Sequence, residues 1–306
     1  MKVSLICTVK NEESTIEELL ESIIAQTKPP DEVVIVDGGS TDNTLKILRR
    51  YKEKLSNLRI IEKPGANIAQ GRNIAIKAAR NEIIASTDAG CVLDKRWLEE
   101  ITKPFKEGAD VVAGGYHPLA KNEFEYFQGV VVAPSLERIF KSVARMSSRS
   151  IAFKKECWEK AGGYPEDTYT GEDTLFNLRM REKGCRFAFA PNAIVFWRMR
   201  SSWSAFAKQF YLYGLGDGRT RNVFKMKANL ALVAGFMAYM ASVFGTFLIN
   251  SLYSLILLLI PVIYSLLCGV TYFAKTKKPS ALYYIPLLIL VKRISYIAGV
   301  YRGLIG

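Results

Sequence analysis

Two textures divide the chain. Over residues 1–120, short apolar runs, several of them β-branched, alternate with amphipathic stretches. Val3–Val9, Glu32–Val36, Leu58–Ile61, Glu82–Thr87 and Asp110–Ala113 read as buried strands. Between them, Ser14–Gln26 puts Ile16, Leu19, Leu20, Ile23 and Ile24 on one helical face. Asp42–Tyr51 turns Leu45 and Leu48 inward, and Ile68–Ala79 gives a third helix. Strands alternating with helices predict an α/β fold, a mostly parallel sheet with helices on both faces. Such sheets bind ligands beyond the C-terminal ends of their strands.

The second texture is continuous apolar sequence. No charge falls between Asn229 and Asn250, or between Ser251 and Ala274. A bilayer-spanning helix needs about 20 apolar residues. Spans are therefore expected near 229–249 and 252–274, joined by a tight turn at Ile249-Asn250-Ser251. Arg198, Arg200, Lys208, Arg219, Arg221, Lys225 and Lys227 precede the first span, against Asp217 alone; Lys275, Lys277 and Lys278 follow the second. The positive-inside rule puts both flanks, and the N-terminal region with them, on the cytoplasmic side of a cell membrane. The same flanks attract anionic lipid headgroups. A third apolar segment, 281–305, is interrupted by Lys292, Arg293 and Arg302. It reads as a third span with snorkelling cations or as an interfacial or re-entrant helix, and the cost of mid-membrane cations favours the latter. At the N-terminus, Lys2 is followed by a short apolar run ending at Lys10, which is not a signal-peptide pattern.

Composition narrows the class. The 306 residues are 49% hydrophobic and 23% charged, which excludes a disordered chain. The length allows two domains, and the change of texture divides them into 1–220, in halves 1–115 and 116–220, and a membrane region over 221–306. Lys and Arg number 42 against 29 Asp and Glu, a net charge of +13. That charge collects beside apolar spans, so the expected partner is lipid and not nucleic acid. The five cysteines, widely and irregularly spaced, fit neither a disulfide scaffold nor a zinc ribbon.

The strand ends carry the chemistry. The first ends in Thr8-Val9-Lys10-Asn11-Glu12, the second in Asp37-Gly38-Gly39-Ser40-Thr41-Asp42. The third leads to Pro64-Gly65 and then Gly71-Arg72-Asn73, and the fourth ends in Thr87-Asp88-Ala89-Gly90. No Gly-x-Gly-x-x-Gly and no Gly-Lys-Ser/Thr loop is present, which argues against a nicotinamide enzyme and a P-loop NTPase. Asp37 can accept from the N–H of uracil or another base, Arg72 suits a phosphate or carboxylate, and Asp88 suits a divalent cation on phosphates.

Val33-Val34-Ile35-Val36-Asp37-Gly38-Gly39-Ser40-Thr41-Asp42 resembles the nucleotide-binding stretch of family 2 glycosyltransferases, and so does Val9-Lys10-Asn11-Glu12. Thr87-Asp88-Ala89 stands where that family has its Asp-x-Asp motif. Gly162-Gly163-Tyr164-Pro165 and Gly171-Glu172-Asp173-Thr174 resemble its acceptor-side stretch. Together the motifs cover about residues 1–220 in the family's order. The resemblance implies a GT-A fold and a UDP- or GDP-sugar donor. It implies base contact by Asp37, base and ribose contacts by Thr8 and Glu12, and diphosphate contact by Arg72. It further implies Mg²⁺ or Mn²⁺ on Asp88, and Asp173 as general base of an inverting transfer, with Glu172 the rival base read as orienting the site.

Two positions depart from the family. Gly90 replaces the second Asp of Asp-x-Asp, with Asp94 read as capping the next helix. No His follows the late strand, where the chain reads Phe196 to Trp203; the sole histidine, His117, lies elsewhere and reads as structural. Arg198 or Arg200 is then expected to neutralise the diphosphate in place of part of a metal shell. Arg200-Ser201-Ser202-Trp203 is also loosely similar to the Gln-x-x-Arg-Trp motif of processive synthases, without its Gln. The competing reading is a basic strand end before an amphipathic helix, 204–213, with Phe206, Phe210 and Tyr211 toward lipid. In 121–149, Phe124, Tyr126, Phe127 and Phe140 read as core before acceptor contacts. The resulting expectation is a membrane-anchored inverting glycosyltransferase acting on a lipid-linked or surface-glycan acceptor. Its alternatives are a polyprenyl-phosphate sugar synthase and a non-catalytic nucleotide-sugar-binding membrane protein.

Overall fold

The computed structural model describes every residue except 168, 169, 222, 223, 225, 226 and 250, and the side chains of 140, 144, 227–229 and 251 are also outside the description. Lys225, Asn250 and the side chains of Phe140 and Lys227 therefore lie outside the described residues. The chain divides into two compact units, Met1–Leu119 with Ala133–Arg198, and Ala120–Val132 with Met199–Gly306.

The first unit is built on one eight-stranded sheet. Its strands are β1 (Val3–Val9), β2 (Glu32–Asp37), β3 (Leu58–Glu62), β4 (Ile83–Ser86), β5 (Cys91–Leu93), β6 (Val111–Leu119), β7 (Ile151–Lys154) and β8 (Phe187–Arg198), in the order β3-β2-β1-β4-β7-β6-β8-β5. The first four run parallel, as does β6 with β8; β7 is antiparallel to β4 and β6, and β5 is antiparallel to β8. The five expected strands are present, and β6 is longer than its apolar run because β8 pairs with it as far as Leu119 opposite Arg198.

Continuous apolar strands follow from burial on both faces. Val3, Leu5, Val33 and Ile35 point to one side, where α1 (Ile16–Ile24), α2 (Thr44–Tyr51) and α4 (Trp97–Thr102) bury Ile16, Leu19, Leu48, Trp97 and Ile101. Ile6, Val34 and Val36 point to the other, against Ala69 and Ile76 of α3 (Ile68–Ala78), Trp158 of α7 (Lys155–Lys160) and Phe176 and Met180 of α8 (Glu172–Glu182).

The second unit is helical. It joins α5 (Glu123–Val132) to α9 (Trp203–Arg219) and to three long helices, Lys227–Ile249, Ser251–Thr276 and Ala281–Ile305. Three segments, Leu230–Ile249, Leu252–Thr276 and Ala281–Ile305, are long and apolar enough to cross a membrane. The third is one continuous helix, as a span or an interfacial helix requires. Its charges have partners within the unit: Lys292 Nζ donates to the Val131 carbonyl at 2.9 Å, and Arg293 lies over the Tyr264 ring.

This unit begins at Met199 and takes in 120–132, whereas the apolar pattern alone placed the boundary at 220–221. The reason is packing. Phe127, Phe206 and Phe210 are buried with Ile285 and Leu288, and Phe124 sits against Trp203 with ring centroids 4.7 Å apart. Phe206 and Phe210 thus face protein and not lipid. Glycines bring α9 and the third long helix into backbone contact. A Cβ at Gly214 would strike the Tyr296 carbonyl, and one at Gly299 the Tyr211 carbonyl. Close approach through small residues is how apolar helices associate where lipid supplies no hydrophobic drive. Gly214→Leu and Gly299→Leu are expected to lower the thermal midpoint of the full chain in detergent, by the equivalent of about 1–3 kcal/mol of overpacking. Gly235→Leu, into open space on the first long helix, should leave the midpoint unchanged.

Candidate active site

The site lies in the sheet unit, at the C-terminal ends of β1, β2 and β4. At the end of β2, Asp37 is buried and bonded to its own loop. Oδ1 accepts from the Gly39 and Ser40 amides at 2.8 Å, and Oδ2 accepts from Ser40 Oγ at 2.5 Å. Gly39 holds φ +94°, and a Cβ at Gly38 would come within 2.8 Å of the Ala66 carbonyl, so this loop requires its two glycines. Asn11, at φ 56°, ties the β1 end to the same loop, accepting from the Thr41 amide at 2.8 Å. Thr8 packs on α3, where a Cβ at Gly71 would meet its methyl at 2.7 Å. Glu12 accepts from Thr15 Oγ1 at 2.5 Å and donates its amide to Thr44 Oγ1. Asp94 accepts from the Arg96 amide in the turn before α4.

The start of α3 organises the rest. Asn67 and Gln70 form a reciprocal capping box, and Asn67 Nδ2 also reaches the Glu166 carbonyl. Asn73 is saturated. It donates to the Tyr164 carbonyl and Glu166 carboxylate, and accepts from the Trp158 indole and the Tyr164 amide, all within 2.9 Å. This holds the Gly162–Glu166 turn.

Arg72, between them, is 2% exposed at its side chain and binds three carboxylates. Nη1 donates to Glu172 and to Asp173, both at 2.8 Å, and Nη2 donates to Asp88 at 2.7 Å. The expectation put Arg72 beside a diphosphate; here its planar fork is engaged by carboxylates. Asp173 also accepts from the Ser148 amide at 3.0 Å and Ser147 Oγ at 3.2 Å. Ser147, Ser148 and Arg149 precede β7. Because β7 is antiparallel to β4, with Ser86 opposite Ile151, its beginning lies at the end of β4. Arg149 rests on two rings, 4.1 Å from the Trp197 centroid and 4.8 Å from that of Tyr116, with its Nε 3.8 Å from Asp88 Oδ2.

The adjacent carboxyls of α8 are pushed apart. Burial and the charge of Asp173 outweigh Arg72 at Glu172, which is pushed up to about 8. At Asp173 burial is overcome by the Arg72 guanidinium and the Ser148 hydrogen bonds, and the carboxyl is held below its ordinary range. At neutral pH Asp173 is ionised and Glu172 is largely protonated.

The residues at Asp88 do not fit a resident divalent cation. Asp88 is the only carboxylate of its turn, and its two oxygens face two guanidiniums. Among the described residues no group of three or more His, Cys, Asp or Glu is arranged to hold a metal, and His117 is exposed on β6.

The remaining expected residues are dispersed. Arg198 donates its amide to the Gly90 carbonyl at 3.0 Å, while its guanidinium pairs with Glu18 of α1. Arg200 and Trp203 belong to the helical unit. Arg200 bonds Gln128 and Gln209, and Trp203 stacks with Phe124 and Tyr284. Ser147, Ser148, Arg149 and Asn73 were not singled out from sequence. The available signal for the first three was a polar stretch immediately before a short apolar run.

Residues 4–156 match the sequence model of glycosyl transferase family 2, and 83–291 match that of glycosyl transferase family group 2. The chain is 29% identical over 206 residues to glycosyltransferase AglE of Haloferax volcanii, covering 63% of this chain and 65% of AglE. It thus spans just under two thirds of that relative's length. The fold is similar to that of Staphylococcus aureus TarS 1-349 in complex with UDP-GlcNAc, with a TM-score of 0.57, 18% identity, and 98% and 91% of the two chains covered. It is also similar to the mannosyltransferase PcManGT of Pyrobaculum calidifontis in complex with GDP-Man and Mn²⁺, with a TM-score of 0.61, 19% identity, and 96% and 86% covered. These likenesses identify the sheet unit as a GT-A fold.

Two outcomes follow from the Arg72 cluster. Arg72→Met should lower stability by about 3–5 kcal/mol, the effect of stranding buried charges, read as a fall in thermal midpoint. Folding raises Glu172 from 4.5 to about 8, so its contribution to stability is present below about pH 4.5 and lost as pH rises toward 8. Glu172→Gln should therefore gain in thermal midpoint relative to the parent as pH increases through that window.

Proposed function

The chain belongs to glycosyl transferase family 2, and on that premise we propose that it is a membrane-anchored inverting hexosyltransferase. Its donor is a UDP- or GDP-sugar, and its acceptor is a lipid-linked sugar or growing glycan. The observation that carries this reading is the joining of Asp173, on the acceptor-side helix, to Asp88, at the donor-side strand end, through one guanidinium.

The chemistry follows from the two carboxyl states. A sugar hydroxyl is a poor nucleophile at neutral pH. Asp173, ionised, takes its proton as the hydroxyl oxygen forms a bond to the anomeric carbon. The bond from that carbon to the diphosphate oxygen breaks on the opposite side, so one displacement inverts the centre. Glu172, largely protonated at neutral pH, is the less available base; with Arg72 it orients Asp173. Asp37 then acts mainly by shaping the loop that receives the base, and Thr8 and Glu12 by shaping the wall beside it.

A membrane-borne acceptor is supported by three helices with the length and composition to cross a bilayer. The basic residues before and after the first two of them support a cytoplasmic catalytic unit. The same helices favour a second reading, a polyprenyl-phosphate acceptor. A phosphate is already ionised and needs no base.

The test uses the full chain in lipid nanodiscs, a panel of UDP- and GDP-sugars, and membrane extract as acceptor. Asp173→Asn should reduce transfer at least about 100-fold while donor binding persists. A loss of less than about tenfold would favour the phosphate acceptor, and donor binding without any transfer would favour a binding protein. In the pH profile of kcat/KM, Asp173 as base puts the acidic limb below the ordinary carboxylate range. Glu172 as base would put it near 8.

A further inference from the structure

We propose that Arg149 holds the diphosphate of the donor in the place a divalent cation would take. This rests on the nucleotide-sugar reading above and goes beyond it. A cation on phosphates needs a carboxylate presented to it. Asp88, the carboxylate of the β4 end, has Arg72 on Oδ1 at 2.7 Å and Arg149 beside Oδ2 at 3.8 Å. A dication entering there would meet two guanidiniums. Gly90 supplies no second carboxylate, although a Cβ at that position would meet nothing within 4 Å, so space does not forbid one.

Arg149 has what a diphosphate requires. A guanidinium presents a planar fork of N–H donors that matches phosphate oxygens and stays charged at any working pH. Its plane is supported by Tyr116 and Trp197, themselves edge to face at 87° with centroids 6.0 Å apart. Arg149 is also the more open of the two guanidiniums at Asp88, 14% exposed at its side chain against 2% for Arg72. Arg198, considered from sequence for this task, has its guanidinium on Glu18. Arg149 follows Ser148, whose amide holds Asp173, so diphosphate and base would be registered by consecutive residues.

The experiment is calorimetry on the full chain in nanodiscs with four probes, UDP, GDP, uridine and guanosine, in EDTA and in Mn²⁺. At least one diphosphate should bind in EDTA with a Kd within about threefold of that in Mn²⁺. Arg149→Ala should weaken that diphosphate about 10–100-fold and leave the matching nucleoside unchanged, and Arg149→Lys should recover part. Diphosphate binding that vanishes in EDTA would overturn the proposal, as would an Arg149→Ala that weakens nucleoside and diphosphate equally, the mark of a structural role. If Arg149→Ala fails to fold, the EDTA comparison on the parent and the Arg149→Lys variant decide. Binding of neither diphosphate in either buffer would overturn the donor reading, and this proposal with it.

Discussion

One buried guanidinium joins the strand ends of the sheet unit to α8. Arg72 stands among Asp88, Glu172 and Asp173, residues separated from it by 16, 100 and 101 positions, and binds all three. Taking a guanidinium out of water is expensive unless its charge is balanced by partners at hydrogen-bond distance. Three carboxyl groups at hydrogen-bond distance provide that balance, with Arg149 nearby. The same arrangement assigns the acid–base states. Neighbouring carboxyls cannot both ionise cheaply when buried, and the one with more hydrogen bonds, Asp173, takes the charge. Stability and chemistry are therefore settled by one set of contacts.

Helix α3 delivers this guanidinium, and its position is fixed by the residues around it. Gly71 lets the helix approach Thr8, and Asn73 closes four hydrogen bonds on the Tyr164 turn. A buried amide with every group satisfied specifies one geometry, because any shift leaves a donor or acceptor unpaired. Gly163, at φ +77°, has its hypothetical Cβ 3.0 Å from Asn73 Oδ1, so the turn and the amide are fitted to each other. The turn before α8 is thus oriented from α3.

The helical unit solves a different problem. Its apolar segments carry polar groups, and several of them have partners inside the unit. Lys292 reaches the carbonyl end of α5, Arg293 lies over Tyr264, and Tyr296 donates to Asp217 of α9 at 2.6 Å. Partnering of this kind is the requirement placed on polar side chains in apolar surroundings. It explains why a segment interrupted by two adjacent cations remains a single helix.

Local pattern was sufficient for much of this. The period of apolar residues gave the alternating strands and helices of the first 120 residues and the length of the long C-terminal helices. The ordered polar motifs pointed to the strand ends where Asp37 and Asp88 stand. Those are properties of neighbouring residues, and burial on both faces of a strand or all around a helix writes them directly into the sequence. Arg149, Ser147 and Ser148 were not legible, because they reach the site only through the antiparallel pairing of β7 with β4. The partners of Arg72 were equally hidden, since a lone basic residue does not say whether phosphate or carboxylate will face it. The placing of α5 and α9 with the long helices was decided by side-chain fit between distant segments. Sequence by itself determined the first four strands, the helices between them, the long apolar helices and the family. Which charges meet there was decided only when the chain closed, because pairing across a hundred residues depends on topology and not on local pattern.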